Sequence, residues 1–402
     1  MLNRNRSGRR LGAALGLLML FAPLATAQAA SRLVYISAYL APSPPATADA
    51  AKELARLQAN GIYAARLDTK TGKLTLLGRK TQLDRASWLV RHPTLPVIYS
   101  VADSGGGITT EALVASFASD PKSGDLKLIN KVGSGGGDAT HMTIDAPSKT
   151  LFVANHDTGQ VTALPLMADG SVGPVVSSQK DVGSGPHPRQ NRPQPHAVVI
   201  DPTHHYLLNN DFGADRIFVR PFNGASRTLS PALPTTQATP PGTGPRHFVF
   251  HPNGKFLFVN TEVGSTLISY RWDTAKASLT PIQTLDLYPA DYAGTAVKSS
   301  SEIGVSPNGR FLYVSLRGDS DSIVSYVVDA STGRLTELQR ISSGGRSPRS
   351  FFIDPTGRWM VVGNELTNTV KVFSMDPKSG KLAATAESIS IPTPVAFTFV
   401  GR

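Results

Sequence analysis

The stretch PRHFVFHPNGKFLFVNTEVGSTLISYRWD, residues 245–273, contains three apolar runs separated by short polar segments. The runs begin at Pro245, Phe256 and Leu267, and they are rich in the β-branched and aromatic residues typical of β-strands. The Pro-Asn-Gly sequence at 252–254 has the composition of a tight turn. The stretch therefore predicts three consecutive strands of one antiparallel sheet.

This pattern recurs along the chain with a period of about fifty residues, which is the mark of a repeat architecture. The turn proline returns after 54, 55, 50, 55 and 48 residues. A strand follows each turn, as in FLYVS from Phe311, and a further strand follows that one, as in IVSYVVD from Ile323. Four short strands per repeat are typical of a β-propeller blade. The turn prolines are Pro93, Pro147, Pro202, Pro252, Pro307 and Pro355.

The repeats give six complete blades, numbered from the one with Pro93, and a seventh that is split between the chain ends. The C-terminal strand PVAFTFV, 394–400, has no partner after it, and the first strand near the N-terminus is LVYISAY from Leu33. We therefore predict an all-β, seven-bladed β-propeller with four-stranded blades over 31–402. Its ring is closed by N- and C-terminal strands that share one blade, which removes exposed sheet edges. Residues 46–60 are predicted to form a short helical insertion.

The N-terminus has the three-part layout of a secretory signal peptide. Four arginines lie within residues 4–10, an apolar run covers 11–24, and Ala27-Gln28-Ala29 offers a cleavage site. The run is shorter than the ~20 residues of a membrane span. We predict a signal peptide at 1–29, a periplasmic or secreted protein, and no membrane span after cleavage.

Composition excludes several kinds of protein. The chain has no cysteine, so disulfides, thiol nucleophiles and iron–sulfur clusters are excluded. The net charge of +11 is spread along the sequence rather than striped with aromatic residues, which argues against nucleic acid. There is no His-Glu-x-x-His or Gly-x-Ser-x-Gly motif, so we predict neither a metal site nor a serine nucleophile. We expect a monomer, and we assign Trp88, Trp272 and Trp359 to core or inter-blade packing.

Propeller topology predicts where the polar loops meet. The first strand of each blade leaves the top face and the second returns to it, so the start of one and the end of the other share that face. In blades three to five these segments are unusually polar, whereas the bottom turns have ordinary turn sequences. The topology thus gathers four charged or titratable residues around the mouth of the channel: His196, Arg246, Glu262 and Arg317.

At this point the sequence resembles a family. The segments that carry the resemblance are GIYAARLDTKTGKLTLLG, PHAVVIDP, GADR, GPRHFVFHPNGKFLFVNTEVGST, EIGVSPNGRFLYVSLRG, SPRSFFIDPTGR and PVAFTF. They are similar to the seven-bladed propeller lactonases, which include bacterial 6-phosphogluconolactonase and the fungal carboxy-muconate lactonising enzyme. The resemblance implies a site of one His, two Arg and one Glu, which fall on the four residues above. Blade five departs from the family, since Ser315-Leu316-Arg317-Gly318-Asp319 lacks its usual Asn and His.

The resemblance implies a lactonase that acts on a small anionic or sugar-derived lactone without metal or cofactor. The predicted signal peptide, a departure from the cytoplasmic sugar-phosphate lactonases of the family, makes it an exported one. Either arginine could stabilise the oxyanion, and Glu262 could take a proton from water. His196 could protonate the leaving alkoxide, because we expect the pKa of its imidazole to lie near working pH. We also predict that His247, Asp211 and Asp215 bind substrate. Other interpretations stay open: a structural Arg246–Glu262 ion pair, a structural His196, a muconate-type cycloisomerase, or a propeller that only binds a ligand or protein.

Overall fold

The computed structural model describes residues 1–2, 31–39, 59–102, 110–295 and 297–400. The predicted signal peptide at 1–29 and the predicted helical insertion at 46–60 lie almost entirely outside these residues and stay predictions. Within the described ranges, no helix has the length and apolar character needed to cross a membrane.

The described chain is nearly all strand, arranged in seven sheets. The first three strands are β1 (Ser31–Ala38), β2 (Gly61–Asp68) and β3 (Leu74–Thr81). Blade one contains β4 (Leu89–Arg91), β5 (Val97–Ala102), β6 (Glu111–Ser119) and β7 (Leu126–Gly137). Blade two contains β8 (Ala139–Asp145), β9 (Thr150–Asn155), β10 (Gln160–Pro165) and β11 (Ser177–Lys180). Blade three contains β12 (Pro195–Ile200), β13 (Tyr206–Asp211), β14 (Arg216–Asn223), β15 (Thr228–Leu229) and β16 (Gln237–Ala238).

The later blades follow the same plan. Blade four contains β17 (Pro245–Phe250), β18 (Phe256–Thr261), β19 (Thr266–Asp273) and β20 (Ser278–Asp286). Blade five contains β21 (Ser299–Val305), β22 (Phe311–Arg317), β23 (Ser322–Val328) and β24 (Leu335–Ser342). Blade six contains β25 (Pro348–Ile353), β26 (Trp359–Asn364), β27 (Thr369–Met375) and β28 (Leu382–Ser390), and β29 (Pro394–Val400) ends the chain. Short 3₁₀ turns follow β22 and β26 at Gly318–Ser320 and Glu365–Thr367.

The ring closes as the sequence predicts. Strand β29 pairs antiparallel with β1, from Leu33 opposite Val400 to Ala38 opposite Pro394, so blade seven has the order β29-β1-β2-β3. The innermost strands also touch in a closed series, from β29 through β4, β8, β12, β17, β21 and β25 back to β29. The prediction of a seven-bladed β-propeller closed by the two chain ends is therefore confirmed.

Blade three differs in its outer edge, where two short strands replace one. Both β15 and β16 pair with β14, and Pro231 and Pro234 lie between them. Proline cannot donate a backbone hydrogen bond to the ladder, so a continuous strand cannot form across this segment.

The hydrophobic core is divided among the interfaces between blades. Phe256 and Phe258 of blade four, for example, pack with Leu312 and Val314 of blade five. Burying each such side chain stabilises the fold by about 1.5–3 kcal/mol. Trp272 lies in the equivalent cluster between blades three and four, as predicted. Each blade thus depends on its neighbours, and the rigid ring holds the loops of its top face in place.

Candidate active site

A β-bulge at the start of the inner strand shapes the top of the channel. In blades two to seven, the ladder between this strand and the next one skips a residue near its first position. Bulges leave a residue unpaired and re-aim its side chain, and they are frequent beside active sites. The skipped residues are Thr140, His196, Arg246, Ser301 with Glu302, Arg349 and Val395.

Several of these side chains line one pocket at the channel mouth. Its cavity of about 30 Å³ has room for about two water molecules. Hydrogen bonds between blades hold the rim: the Thr140 hydroxyl donates to the His196 carbonyl at 3.1 Å, and the Ser301 hydroxyl donates to the Arg349 carbonyl at 2.6 Å. The lining residues are Ser87, Trp88, Thr140, His196, Arg246, His247, Arg349 and Val395.

Glu262 is the centre of a charged cluster beside this pocket. Its Oε2 lies 3.1 Å from Nε of Arg246, 3.4 Å from Nη2 of Arg317 and 3.9 Å from Nε2 of His196. Its Oε1 lies 2.8 Å from Nη1 of Arg189. The structure therefore brings the four predicted catalytic residues together around one buried carboxylate.

The loop before Arg246 needs a glycine at position 244 to place the Arg246 side chain in the cluster. Gly244 has a φ of 62°, and a Cβ there would come within 2.5 Å of the Phe212 ring, so glycine is required. The Arg246 side chain is only 4% exposed and donates from Nη1 to the Ser301 carbonyl at 2.8 Å. Its guanidinium is thus fixed by contacts with its own blade and the next one.

Electrostatics sets the charge state of the cluster. Burial raises the pKa of Glu262, but the guanidinium groups of Arg317, Arg246 and Arg189 outweigh it and hold that pKa well below the usual range. Burial and the nearby Arg317 lower the pKa of Arg246 to about 9. At neutral pH the carboxylate and the guanidinium are therefore both charged, as oxyanion stabilisation requires.

His196 has a different state from the one expected. Burial, helped by the charges of Arg246 and His247, lowers the pKa of His196 well below that of an ordinary imidazole. The expectation that His196 titrates near working pH is therefore wrong, because it ignored the desolvation of a buried ring among cations. The resting imidazole is neutral, with one nitrogen able to accept a proton and one able to donate.

A second layer of titratable groups lies beneath the first. The Nδ1 atom of His247 lies 3.0 Å from Oε1 of Glu302, and the Ser350 hydroxyl donates to Oε2 of the same carboxylate at 3.0 Å. The Nη1 atom of Arg246 approaches the His247 ring within 3.2 Å. The predicted substrate-binding residue His247 thus lines the pocket and also supports Arg246, and sequence reasoning missed the role of Glu302.

Trp88 packs against the hydrophobic cluster between blades one and two, as predicted, and it also lines the pocket, which was not predicted. Its ring lies 4.2 Å from that of His141 and 5.1 Å from that of His247, centroid to centroid. Its indole N–H donates to the Met142 carbonyl at 3.1 Å. Trp88 immediately precedes β4, the innermost strand of blade one. It corresponds to His141 and His247, which lie near the start of the innermost strands of blades two and four. This equivalence between blades was the available signal.

Asp211 and Asp215 lie elsewhere. Oδ1 of Asp211 accepts from the backbone amides of Gln194 and Ala214, both at 2.8 Å. Asp215 accepts from the amides of Gly242 and Gly244 at 2.6 and 2.8 Å. Neither lines the pocket. The structure therefore places both predicted substrate-binding carboxylates against backbone groups, where they fix the loops that carry the site.

Sequence reasoning also missed two arginines. Arg189 comes from the long connection between β11 and β12, and Arg349 is the bulge residue of blade six, with its Nη1 atom 3.7 Å from Oε1 of Glu365. Arg189 lies outside the repeat pattern, so the repeats do not mark it, whereas Arg349 occupies the same blade position as Arg246, and that equivalence was the available signal. Together with Arg246 and Arg317, they place four guanidinium groups at the channel mouth, where the carboxylates of Glu262 and Glu365 pair with them.

One group near the site has metal-ligand chemistry. Ligand atoms of Asp138, His156 and Asp157 all lie within 4.8 Å of one another. Each carboxylate is already paired, Asp138 with Arg85 and Asp157 with Arg192. In this structure, both carboxylates of the group therefore form ion pairs with arginines.

Comparisons with known proteins identify the family and the relatives of this chain. The family model described as "Lactonase, 7-bladed beta-propeller" matches residues 51–399. The 6-phosphogluconolactonase of Bacillus subtilis is 31% identical over 85% of this chain and 94% of its own length. That of Formosa agariphila is 31% identical over 80% of this chain and 90% of its own length. The structure of the periplasmic gluconolactonase PpgL of Pseudomonas aeruginosa superposes with a TM-score of 0.81 and 31% identity, covering 92% of this chain and 99% of that one.

Proposed function

Because the chain belongs to the seven-bladed β-propeller lactonase family, we propose that it hydrolyses a sugar-derived lactone in the pocket at the top of the channel. The observation that carries this proposal is the buried Glu262 carboxylate, held by Arg246 and Arg317 and 3.9 Å from the neutral His196. In this cluster, Glu262 can act as the base and His196 can carry the proton. Arg246 and Arg317 can stabilise the oxyanion.

The first step is attack by water on the lactone carbonyl. Glu262 takes one proton from the water as its oxygen bonds to the carbonyl carbon, and the carbonyl electron pair moves onto oxygen. Arg246 and Arg317 stabilise the resulting oxyanion. Because burial excludes water from these guanidinium groups, their attraction for the developing charge is stronger than it would be in solution.

The second step opens the ring. The oxyanion collapses, the bond between the carbonyl carbon and the ring oxygen breaks, and the leaving alkoxide needs a proton. The neutral imidazole of His196 can accept the proton from Glu262 on one nitrogen and release its other proton to the alkoxide. The products are a hydroxy acid and the original carboxylate of Glu262.

We propose δ-gluconolactone and related aldonolactones as the first substrates to examine. The relatives' names support this class, and the guanidinium groups at the mouth can bind the oxygen atoms of such compounds. We also propose that the protein is exported. The predicted signal peptide supports export, and the similar Pseudomonas protein is described as periplasmic.

A lactone panel tests the proposal. The purified protein is assayed on δ-gluconolactone, 6-phosphogluconolactone and a muconolactone, with and without EDTA, beside Glu262→Gln and Arg246→Ala. We expect turnover above the spontaneous rate, unchanged by EDTA and reduced at least ~100-fold in both folded variants. Equal turnover by the wild type and Glu262→Gln, or none on any lactone by folded protein, would reject the proposal.

A further inference from the structure

The cavity at the channel mouth is narrow, with room for about two water molecules, and Glu262 lies beside it rather than in its lining. Arg189 covers Oε1 of the Glu262 carboxylate, with its Nη1 atom 2.8 Å away. A substrate can therefore contact that oxygen only when the Arg189 side chain moves.

Arg189 is the member of the cluster most able to move. Its side chain is 55% exposed, whereas those of Arg246, Arg317 and Glu262 are 4%, 16% and 9% exposed. Its contacts in the cluster are one ion pair, from Nη1 to Oε1 of Glu262, and a position 4.6 Å from the centroid of the Phe212 ring. Water screens ion pairs of exposed side chains, so oxygen atoms of a ligand can compete with this one.

The backbone that carries Arg189 is fixed, so the movement belongs to its side chain. The neighbouring Gln190 is fully buried, and its amide donates to the Phe212 carbonyl and to Oδ1 of Asp215, both at 2.7 Å. Its Oε1 accepts from the His187 amide at 3.0 Å. A guanidinium on a long flexible stem above a fixed anchor can turn without disturbing the loop.

Movement of Arg189 frees one of the two carboxylate oxygens of Glu262 and leaves the other one paired. Among the described residues, Arg189 is the partner of Oε1, whereas Arg246 and Arg317 hold Oε2. When Arg189 turns away, the carboxylate keeps its position and gains a free oxygen that can accept a proton. Loss of one neighbouring cation also makes that oxygen more basic.

We propose that Arg189 is a specificity-determining residue. Its guanidinium leaves the ion pair with Glu262 and binds the substrate instead. In the free protein it covers Oε1, and in the complex its guanidinium fork binds carboxylate, phosphate or hydroxyl oxygens of the lactone away from the ester. The inference rests on the proposed function, since it assigns a substrate contact at the same Glu262 cluster. It predicts that Arg189 serves substrate binding while Glu262 serves the chemical step.

The test separates KM from kcat in Arg189→Ala and Arg189→Lys. Arg192→Ala is the matched control, because Arg192 lies in the same loop and is 44% exposed but pairs with Asp157. With δ-gluconolactone we expect Arg189→Ala to raise KM about tenfold, the loss of about one charged hydrogen bond, with kcat within about threefold of the wild type. Arg189→Lys should recover part of the loss, and Arg192→Ala should show none.

Binding of gluconate, followed by the fluorescence of the pocket tryptophan Trp88, gives a readout that needs no turnover. We expect gluconate to bind about tenfold more weakly to Arg189→Ala than to Arg192→Ala. Unchanged KM and unchanged gluconate binding, or a loss in kcat alone, would overturn the inference. If the wild type hydrolyses no lactone, the proposed function fails, and gluconate binding still decides whether Arg189 contacts the ligand.

Discussion

Replacing Arg246 by lysine tests how far catalysis depends on the shape of this side chain rather than its charge. Nε of Arg246 lies 3.1 Å from Oε2 of Glu262, while Nη1 lies 2.8 Å from the Ser301 carbonyl. A lysine ammonium is a single compact point of charge and can occupy one of these two positions. Arg246→Lys should therefore keep a positive charge in the site but lose the fixed direction of the donor towards the oxyanion.

The expected loss in kcat follows from that geometry. Removing one aligned oxyanion donor costs about 100- to 1,000-fold in kcat, and a displaced ammonium should recover little of it. The fold should tolerate the change, because the Ser301 carbonyl keeps Asn260 Nδ2 at 3.0 Å and Glu262 keeps Arg317 and Arg189. The remaining destabilisation is that of one charged hydrogen bond, about 1.5–3 kcal/mol.

The assay is steady-state hydrolysis of δ-gluconolactone, corrected for the spontaneous rate, together with thermal unfolding. Arg227→Lys is the control, since Arg227 donates to the Ser148 carbonyl at 3.0 Å at the bottom of the propeller. We expect a loss of about 100-fold or more in kcat for Arg246→Lys and none for Arg227→Lys. A folded Arg246→Lys protein with more than about a third of wild-type kcat would refute the reasoning.

Three further changes test other parts of the structure. Burial and the nearby Asp181 raise the pKa of Asp211. Above the ordinary carboxyl pKa, Asp211 therefore keeps its proton in the native protein but loses it in the unfolded protein. The stability of the native protein falls as pH rises through this range. Asp211→Asn mimics the protonated form, and its Tm should fall less than that of wild type between about pH 5 and 8; a parallel fall would contradict this. Trp88→Ala should lower kcat/KM at least about tenfold while Trp88→Phe, which keeps a ring beside His141, stays within about threefold; equal losses would show that the ring is not what matters. Deleting 394–402 removes β29 and opens the ring, so circular dichroism and gel filtration should show an unfolded or aggregated protein rather than a folded monomer.

The sequence was sufficient for the fold because its repeats are explicit. Turn prolines at a nearly constant spacing and apolar strands after them define the blades, and the unpaired strand 394–400 predicts the closure. The split outer edge of blade three was missed, although Pro231 and Pro234 were visible, because the repeat pattern was taken to hold in every blade.

The site was predictable where it depends on topology. His196, Arg246, Glu262 and Arg317 lie at the top ends of strands in adjacent blades, and strand direction alone brings such positions together. The bulges that aim these side chains were not predictable, because a one-residue register shift depends on tertiary packing.

Other site residues depend on contacts that a sequence does not display. Arg189 reaches Glu262 from a connecting loop, and no periodicity fixes where such a loop folds. Asp211 and Asp215 looked like ligand-binding carboxylates because they are polar and lie near the mouth. Their partners are backbone amides of neighbouring loops, which only the folded chain reveals. The neutral state of His196 likewise follows from burial among cations.

A crystal structure of Glu262→Gln with δ-gluconolactone bound would show whether lactones bind at the Glu262 cluster. We expect the lactone in the top pocket, with its carbonyl oxygen within hydrogen-bond distance of Arg246 or Arg317. We also expect Arg189 to have turned from residue 262 onto the ligand. A lactone bound elsewhere on the propeller, with the cluster unchanged, would contradict lactone hydrolysis at this cluster.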